Sequence, residues 1–315
     1  MQEQRYSEIG SEFWIENVSG KLLTERDGVY AISGRTAIDL ILQDILLRRS
    51  VKSVAMPAWC CDSMVSPFLA HGIEVKFYEG FKFQDSGFRL RILATCGTSD
   101  QGRAEELENC HTDIFYLTNY FGYENTLPLE TVKAVREKGS VILYDRTHSF
   151  LMEDEEYQEI ADYHFASIRK WMGVVGGAVV NGLSEEPTLK ECPYAFIKEA
   201  AMKEKFQDLQ GDTSVVKGKF LKAFGKFGHH LVEDYKDYEM DDLSYALYKQ
   251  EDLKAMAKRR RENAAYLHKH LKGVKFLGEL TDGAVPLFVP VFFESKEQRD
   301  DIRKKLIEKN IYCPV

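Results

Sequence analysis

Ser140-Val-Ile-Leu-Tyr-Asp145 and Tyr163-His-Phe-Ala-Ser-Ile-Arg-Lys170 decide how this chain is read. The first is a short apolar run that closes on a carboxylate. An unbroken run of this kind suits a strand buried on both faces, as strands of a parallel sheet are. The second begins as another such strand and passes directly to a lysine. Upstream, Asp113-Ile-Phe-Tyr-Leu-Thr-Asn119 predicts a strand, and 128–138 predicts a helix that stops at Gly139. Residues 35–49 carry apolar side chains at 38, 41, 42 and 45, a helical stripe introduced by Ser33-Gly34. A run over 51–57, a helix at about 60–71 ending at Gly72, and Ile73-Glu-Val-Lys-Phe-Tyr78 continue the alternation. Gly177-Ala-Val-Val-Asn181 adds a further strand downstream. Strands interleaved with helices predict βαβ units, hence an α/β fold with a mainly parallel sheet between helices.

From about 187 the texture changes. Residues 194–210 and 213–227 read as charged helices. Residues 241–272 read as one long amphipathic helix, with Leu243, Leu247, Leu253, Met256, Tyr266, Leu267 and Leu271 on its apolar side. Val285–Phe293 predicts a strand and 296–309 a helix. The expected organisation is a large domain over 1–240, with an N-terminal arm over about 1–30, followed by the long helix and a small α+β domain over 241–315. A length of 315 residues accommodates two such units.

The formal net charge is −8, which argues against wide binding to nucleic acid or an anionic membrane. No apolar run approaches the roughly 18–20 residues of a spanning helix. The polar, acidic start, Met1-Gln-Glu-Gln-Arg-Tyr-Ser-Glu8, is not a signal peptide. Six cysteines without a CxxC pair fit neither a disulfide framework nor a structural zinc site. A soluble, cytoplasmic protein in a reducing compartment is expected.

Proteins with such sheets bind ligands at the carboxyl ends of their strands. Asp145 ends one strand, with His148 three residues on. Lys170 follows another, and Gly176-Gly177 opens the next. Ser33-Gly34-Arg35-Thr36 precedes the first helix, an anion-binding arrangement through free N–H groups. A carboxylate, a lysine and a phosphate-ready helix start at one edge are what pyridoxal 5'-phosphate (PLP) requires. The lysine forms an imine with its aldehyde, the carboxylate keeps its pyridine nitrogen protonated, and the helix start takes its phosphate.

The order and wording of these motifs resemble the DegT/DnrJ/EryC1/StrS aminotransferases, the sugar-aminotransferase branch of the fold-type-I PLP enzymes. Ser33-Gly34-Arg35-Thr36-Ala37-Ile38 resembles that family's S-G-T-x-A-L phosphate loop. Met56-Pro57-Ala58-Trp59-Cys60-Cys61 falls where the family has its P-x-x-T-F/W segment, whose aromatic stacks on the cofactor ring. Asn119-Tyr120-Phe121-Gly122 resembles H-x-Y-G, and Tyr144 through Phe150 resembles E-D-A-A-H/Q-A. Phe165-Ala-Ser167-Ile-Arg-Lys170 followed by Gly176-Gly177 resembles the Schiff-base segment, and Arg260-Arg261 through Leu271 the long helix.

The resemblance implies Lys170 as the Schiff-base lysine and proton shuttle, Asp145 on the pyridine nitrogen and His148 near the ring. It implies Gly34, Arg35, Thr36, Trp59, Cys61, Asn119 and Ser167 around the cofactor. It also implies a homodimer with shared active sites, in which 211–240 approaches the partner's cofactor. The expected reaction moves an amino group from an amino acid, glutamate in the family, to a keto acceptor such as a nucleotide-linked keto-sugar.

The chain departs from the family at three places. The ring-stacking aromatic normally sits four residues after the proline, which here is Cys61, so either Trp59 substitutes or the ring lacks that stack. The family's N-Y-R-M segment, which reaches a neighbour's phosphate, is Asp237-Tyr-Glu239-Met240 here. The family also continues past a P-x-H motif, where this sequence stops at Cys313-Pro-Val315, so an incomplete small domain is expected. These departures motivate two alternatives: a degenerate PLP-fold protein that binds or regulates, and a PLP-dependent sugar dehydratase, against which Lys170 speaks. Lesser features have plainer expectations. Cys60 and Cys61 are expected as buried free thiols, His229-His230 as a surface loop pair, and Lys258–Arg261 as a solvated helix face.

Overall fold

The computed structural model describes residues 8–16, 25–78, 92–95, 111–123 and 127–314. Its eight-stranded sheet uses β1 (Val29–Ala31), β2 (Ser53–Pro57), β3 (Glu74–Tyr78), β4 (Ile92–Thr95), β5 (Ile114–Thr118), β6 (Val141–Asp145), β7 (Tyr163–Ala166) and β8 (Ala178–Asn181). Their spatial order is β1-β8-β7-β6-β5-β2-β3-β4. The four central pairings, β3 to β2, β2 to β5, β5 to β6 and β6 to β7, are parallel. Antiparallel pairings close both sides.

Consecutive strand residues enter different apolar layers, as a period of two demands. Val54, Met56, Ile114, Tyr116 and Leu143 join one layer. Ala55, Phe115, Leu117, Ile142 and Tyr144 join the other. Both faces are therefore covered, which is why these strands read as continuous apolar runs. The first layer packs on α1 (Gly34–Arg48) and α2 (Asp62–Ala70). The second packs on α3 (Leu129–Glu137) and α4 (Glu155–Ile160). Ile38, Ile41, Leu42 and Ile45 place the α1 stripe in the first layer, each at most 2% exposed. Each contributes roughly 1.5–3 kcal/mol by leaving water.

Beyond the sheet, α5 (Ala195–Leu209) and α6 (Lys217–Glu233) form a helical hairpin. The expected single helix over 241–272 is two: α7 (Asp242–Gln250) and α8 (Leu253–His270). Glu251 is extended, and the Asp252 carboxylate accepts from Ala255 N–H at 2.9 Å. A competing cap in mid-pattern ends one helix and starts the next.

The expected Val285–Phe293 strand shrinks to β10 (Val291–Phe292), paired with β9 (Lys275–Phe276). Pro286 and Pro290 remove the N–H groups that a longer ladder needs. The last helix, α9 (Lys296–Ile307), buries none of its residues. His229 and His230 lie on α6 rather than in a loop, where His230 stacks on Tyr194 at 4.0 Å.

Candidate active site

Two antiparallel steps, β1 to β8 and β8 to β7, leave β1 parallel to β7. The segments that follow β1, β2, β5, β6 and β7 consequently leave the sheet at one edge. That carboxyl edge is where α/β sheets hold ligands. The segments enclose a cavity of about 300 Å³, at the small end of the range for ligand pockets. Gly34, Arg35, Trp59, Cys61, Asp145, His148, Ser167 and Lys170 all line it. Thr36 and Asn119 do not.

Asp145 is 5% exposed and held on both carboxylate oxygens. Tyr116 Oη donates to Oδ2 at 2.7 Å, and Thr147 N–H donates to Oδ1 at 2.8 Å. Register explains the first contact. Thr118 stands opposite Asp145, and Tyr116, two residues earlier, shares its face of the sheet. Burial beside the carboxylate raises the Tyr116 pKa well above that of an ordinary phenol, so this hydroxyl stays a donor.

Lys170 ends a short turn over Ile168–Lys170, and its Nζ lies 3.3 Å from His148 Nε2. Burial, with the nearby Lys170, pushes the His148 pKa down to about 3, so the ring is neutral. Phe121 N–H points at His148 Nδ1 at 3.3 Å. Assigned from this geometry, the ring's one proton sits on Nε2, facing Lys170. The pair is then a hydrogen bond when Nζ is an uncharged amine.

Phe121 reaches this position at φ 60°, with Gly122 next at φ 77°. Two positive φ values and a Tyr123 N–H to Tyr120 carbonyl bond of 3.3 Å make a tight turn of the mirror-image type. Phe121 stacks on His148 at 5.3 Å, and Phe288 meets both rings edge-on. Trp59 is 54% exposed at the cavity wall and stacks on Tyr120 at 5.2 Å.

The start of α1 is built by its cap. The Ser33 hydroxyl accepts from Thr36 N–H at 3.1 Å. The Thr36 hydroxyl donates to the Tyr235 carbonyl at 2.8 Å. Thr36 is thereby committed to the protein, and the Gly34 and Arg35 N–H groups remain without helical partners. Gly34 is needed for proximity, since a Cβ there would come within 3.3 Å of Ser167 Cβ. The Arg35 guanidinium donates to Asp62 at 2.7 Å and to the Val232 carbonyl at 3.2 Å.

Asn119 is 1% exposed and its Nδ2 points to Met152 Sδ at 3.8 Å, away from the cavity. Cys61 is exposed and lines the cavity, and Cys60 is half-buried, against the expectation of two buried thiols. Cys61 is the last residue before α2 and begins a helix instead of filling the core. Asp237 accepts from Gln43 at 2.9 Å, and Glu239 pairs with Arg26 at 3.4 Å. Neither carboxylate lines the cavity of its own chain.

In the basic run on α8, Arg260 turns inward instead of into solvent. It donates to the Leu287 and Trp171 carbonyls, each at 3.2 Å, and lies over the Trp171 ring. Sequence reading missed Tyr116, which looks like any apolar strand residue, and Arg169, which stands in the shadow of Lys170. Its basic character directly before Lys170 at a strand end was the available signal.

No family model matches the chain, and no curated protein matches it in sequence. Solved structures match it in fold. The aminotransferase TlmJ from Streptoalloteichus hindustanus aligns over 90% of this chain and 70% of its own, with a TM-score of 0.53 at 14% identity. DesI, crystallised in the presence of its TDP-sugar product, aligns over 91% and 66%, with a TM-score of 0.54 at 14% identity. Alanine–glyoxylate aminotransferase from Nostoc sp. aligns over 90% and 70%, with a TM-score of 0.50 at 16% identity. The chain has the fold of the fold-type-I PLP-dependent aminotransferases. At these identities the likeness carries the fold and nothing finer.

Proposed function

We propose that this protein is a PLP-dependent aminotransferase. The observation that carries the reading is the meeting of Asp145, Lys170 and the Ser33–Gly34 helix start in one cavity. The residues present fit the cofactor. The buried Asp145 carboxylate suits a protonated ring nitrogen, and free first-turn N–H groups with an unpartnered Arg169 Nε suit its phosphate. When bound, PLP supplies an electron sink for the carbanion formed at the substrate carbon.

The chain's own residues do the rest. Lys170 Nζ would hold the cofactor through its aldehyde and, as a free amine, would carry a proton on and off the reacting carbon. The neutral His148 keeps Nε2–H toward Nζ and so orients the amine. Tyr116 and Thr147 hold the Asp145 carboxylate in place. The turn at Phe121–Gly122 fixes the His148 tautomer through the Phe121 N–H.

Within this reading the donor is an amino acid such as glutamate, and the acceptor is a nucleotide-linked keto-sugar. The motif order supports that acceptor, as does the likeness in fold to DesI, whose structure was determined in the presence of its TDP-sugar product. A cytoplasmic homodimer with shared active sites completes the proposal, since α6 lines the cavity at Gly228, Leu231 and Val232 and its outer residue Val232 is 52% exposed.

The deciding experiment is a visible absorption spectrum of the protein with PLP, for wild type and Lys170→Ala. A band in wild type alone is expected, followed by amino transfer in a screen of donors and keto-sugars. A band that survives in Lys170→Ala, or no band in either protein, refutes the assignment.

A further inference from the structure

Arg169 is a cation that the contacts among the described residues leave unexplained. Among the described residues it makes no hydrogen bond and no ion pair, and its Nε is shut off from solvent without a partner. A buried, unpaired guanidinium N–H costs free energy unless a ligand takes it. Arg169 lines the same cavity as Lys170.

Its electrical surroundings place it within that cavity. Burial lowers its pKa most, and the Arg35 guanidinium lowers it further. Glu12 and Cys61 pull the other way at longer range, without an ion-pair contact. Arg169 lines the cavity together with Arg35 and Cys61, which mark its helix-start side.

That side gathers two helix starts. Ser33 opens α1, and Cys61 opens α2 without a side-chain cap. Arg35 bridges them through Asp62. The charged lining of the cavity consists of Arg35, Arg169 and Lys170 against Asp145 alone. A guanidinium without a partner beside two positive helix ends, with the Asp62-paired Arg35 on the same wall, is stabilised when an anion lies against it.

We infer that Arg169, together with Arg35, forms the cationic clamp for a phosphate dianion at the joint start of α1 and α2. The inference rests on the cofactor reading, with the phosphate being that of PLP. It assigns Arg169 a role that its neighbour Lys170 does not share: Lys170 would take the aldehyde, and Arg169 would hold the phosphate. It also makes the clamp the property of one chain, with no cation borrowed from Asp237–Met240, where this sequence carries Asp237 and Glu239.

The test compares PLP with pyridoxal, which has the same aldehyde and ring but no phosphate. Dissociation constants are read from the visible band that depends on Lys170. In wild type PLP should bind more tightly than pyridoxal. In Arg169→Gln this preference should fall about tenfold or more, with pyridoxal binding unchanged. Arg169→Lys should recover part of the preference, because it restores charge but not the fork of donors. A preference unchanged within twofold in Arg169→Gln overturns the inference.

Failure of the cofactor reading is seen separately, as no band with either aldehyde in wild type. Inorganic phosphate is then the probe, read by thermal shift. Stabilisation of wild type but not of Arg169→Gln keeps the anion clamp without PLP, and equal or absent stabilisation overturns it. Should Arg169→Gln not fold, Arg169→Lys carries both comparisons, with a preference equal to wild type counting against the forked clamp.

Discussion

The sheet region and the last sixty or so residues are built on different physical terms. In the first, β2, β5 and β6 are buried on both faces, and α1 places Ile38, Ile41, Leu42 and Ile45 in the core. In the second, β9 and β10 pair over two residues each and α9 buries nothing. The second region is held by a small apolar cluster of Ala257, Val285 and Leu287 with Met152 and Trp171, and by specific contacts: Arg260 on the Leu287 and Trp171 carbonyls, and Val285 and Leu287 on the turn at Phe121–Gly122. The difference teaches that the candidate site is anchored where apolar burial is extensive, and flanked by a part with a smaller core.

The largest expected effect tests that contrast directly. Ile41→Ala should cost about 2–5 kcal/mol in unfolding free energy, against less than about 1 kcal/mol for Ile307→Ala on α9, which is 40% exposed. Chemical denaturation of the two variants measures both. Equal losses would erase the distinction between the regions.

Tyr116→Phe comes next, at about 1.5–3 kcal/mol, because it removes a donor from a buried carboxylate. In the PLP-loaded protein it should also shift the pH dependence of the visible band, an effect that a purely structural tyrosine would lack. Gly122→Ala probes the join between regions. A Cβ there would stand 2.0 Å from the Val285 carbonyl oxygen at a φ of 77°, so a loss of about 1–3 kcal/mol is expected. Limited proteolysis should then cut the C-terminal region faster than the sheet.

The pH response should come from the sheet. Burial holds the pKa of His148 at about 3 and of His164 at about 4, both below the ordinary value of 6.5. The unfolded chain therefore binds protons that the folded chain refuses, and stability is lost as pH falls below about 6.5. The slope reaches at most about 1.4 kcal/mol per pH unit for each imidazole. Urea midpoints between pH 7 and 5.5 should show this slope, and it should flatten in the double variant His148→Gln, His164→Gln. The smallest effect is expected at the exposed Lys305–Asp301 pair, where Lys305→Ala should change stability by less than about 0.5 kcal/mol.

How much of this was legible follows from where information sits in a chain. Asp145 and Lys170 were readable as candidates because one ends a strand and the other follows one, and strand ends at one edge are where α/β proteins place ligands. The α1 stripe was readable from its period. Thr36 looked like a ligand residue because its motif is local. Its hydroxyl's actual partner, the Tyr235 carbonyl, lies 199 residues away and leaves no trace nearby. Tyr116 was invisible for the opposite reason: in a strand buried on both faces, a tyrosine with a function and one in the core occupy the same kind of position. The break at Glu251–Asp252 was written in the sequence, yet an apolar period that resumed after it hid the cap.

One small feature changes how the C-terminal region should be regarded. Val285 N–H bonds the Gly122 carbonyl at 2.9 Å, and Leu287 N–H bonds the Phe121 carbonyl at 2.8 Å. The same two residues form the turn whose Phe121 N–H fixes the proton on His148. The segment at 285–287 is thus tied, by two backbone hydrogen bonds, to the turn whose N–H meets the imidazole facing Lys170. The far end of the chain thereby supplies part of the frame of the site.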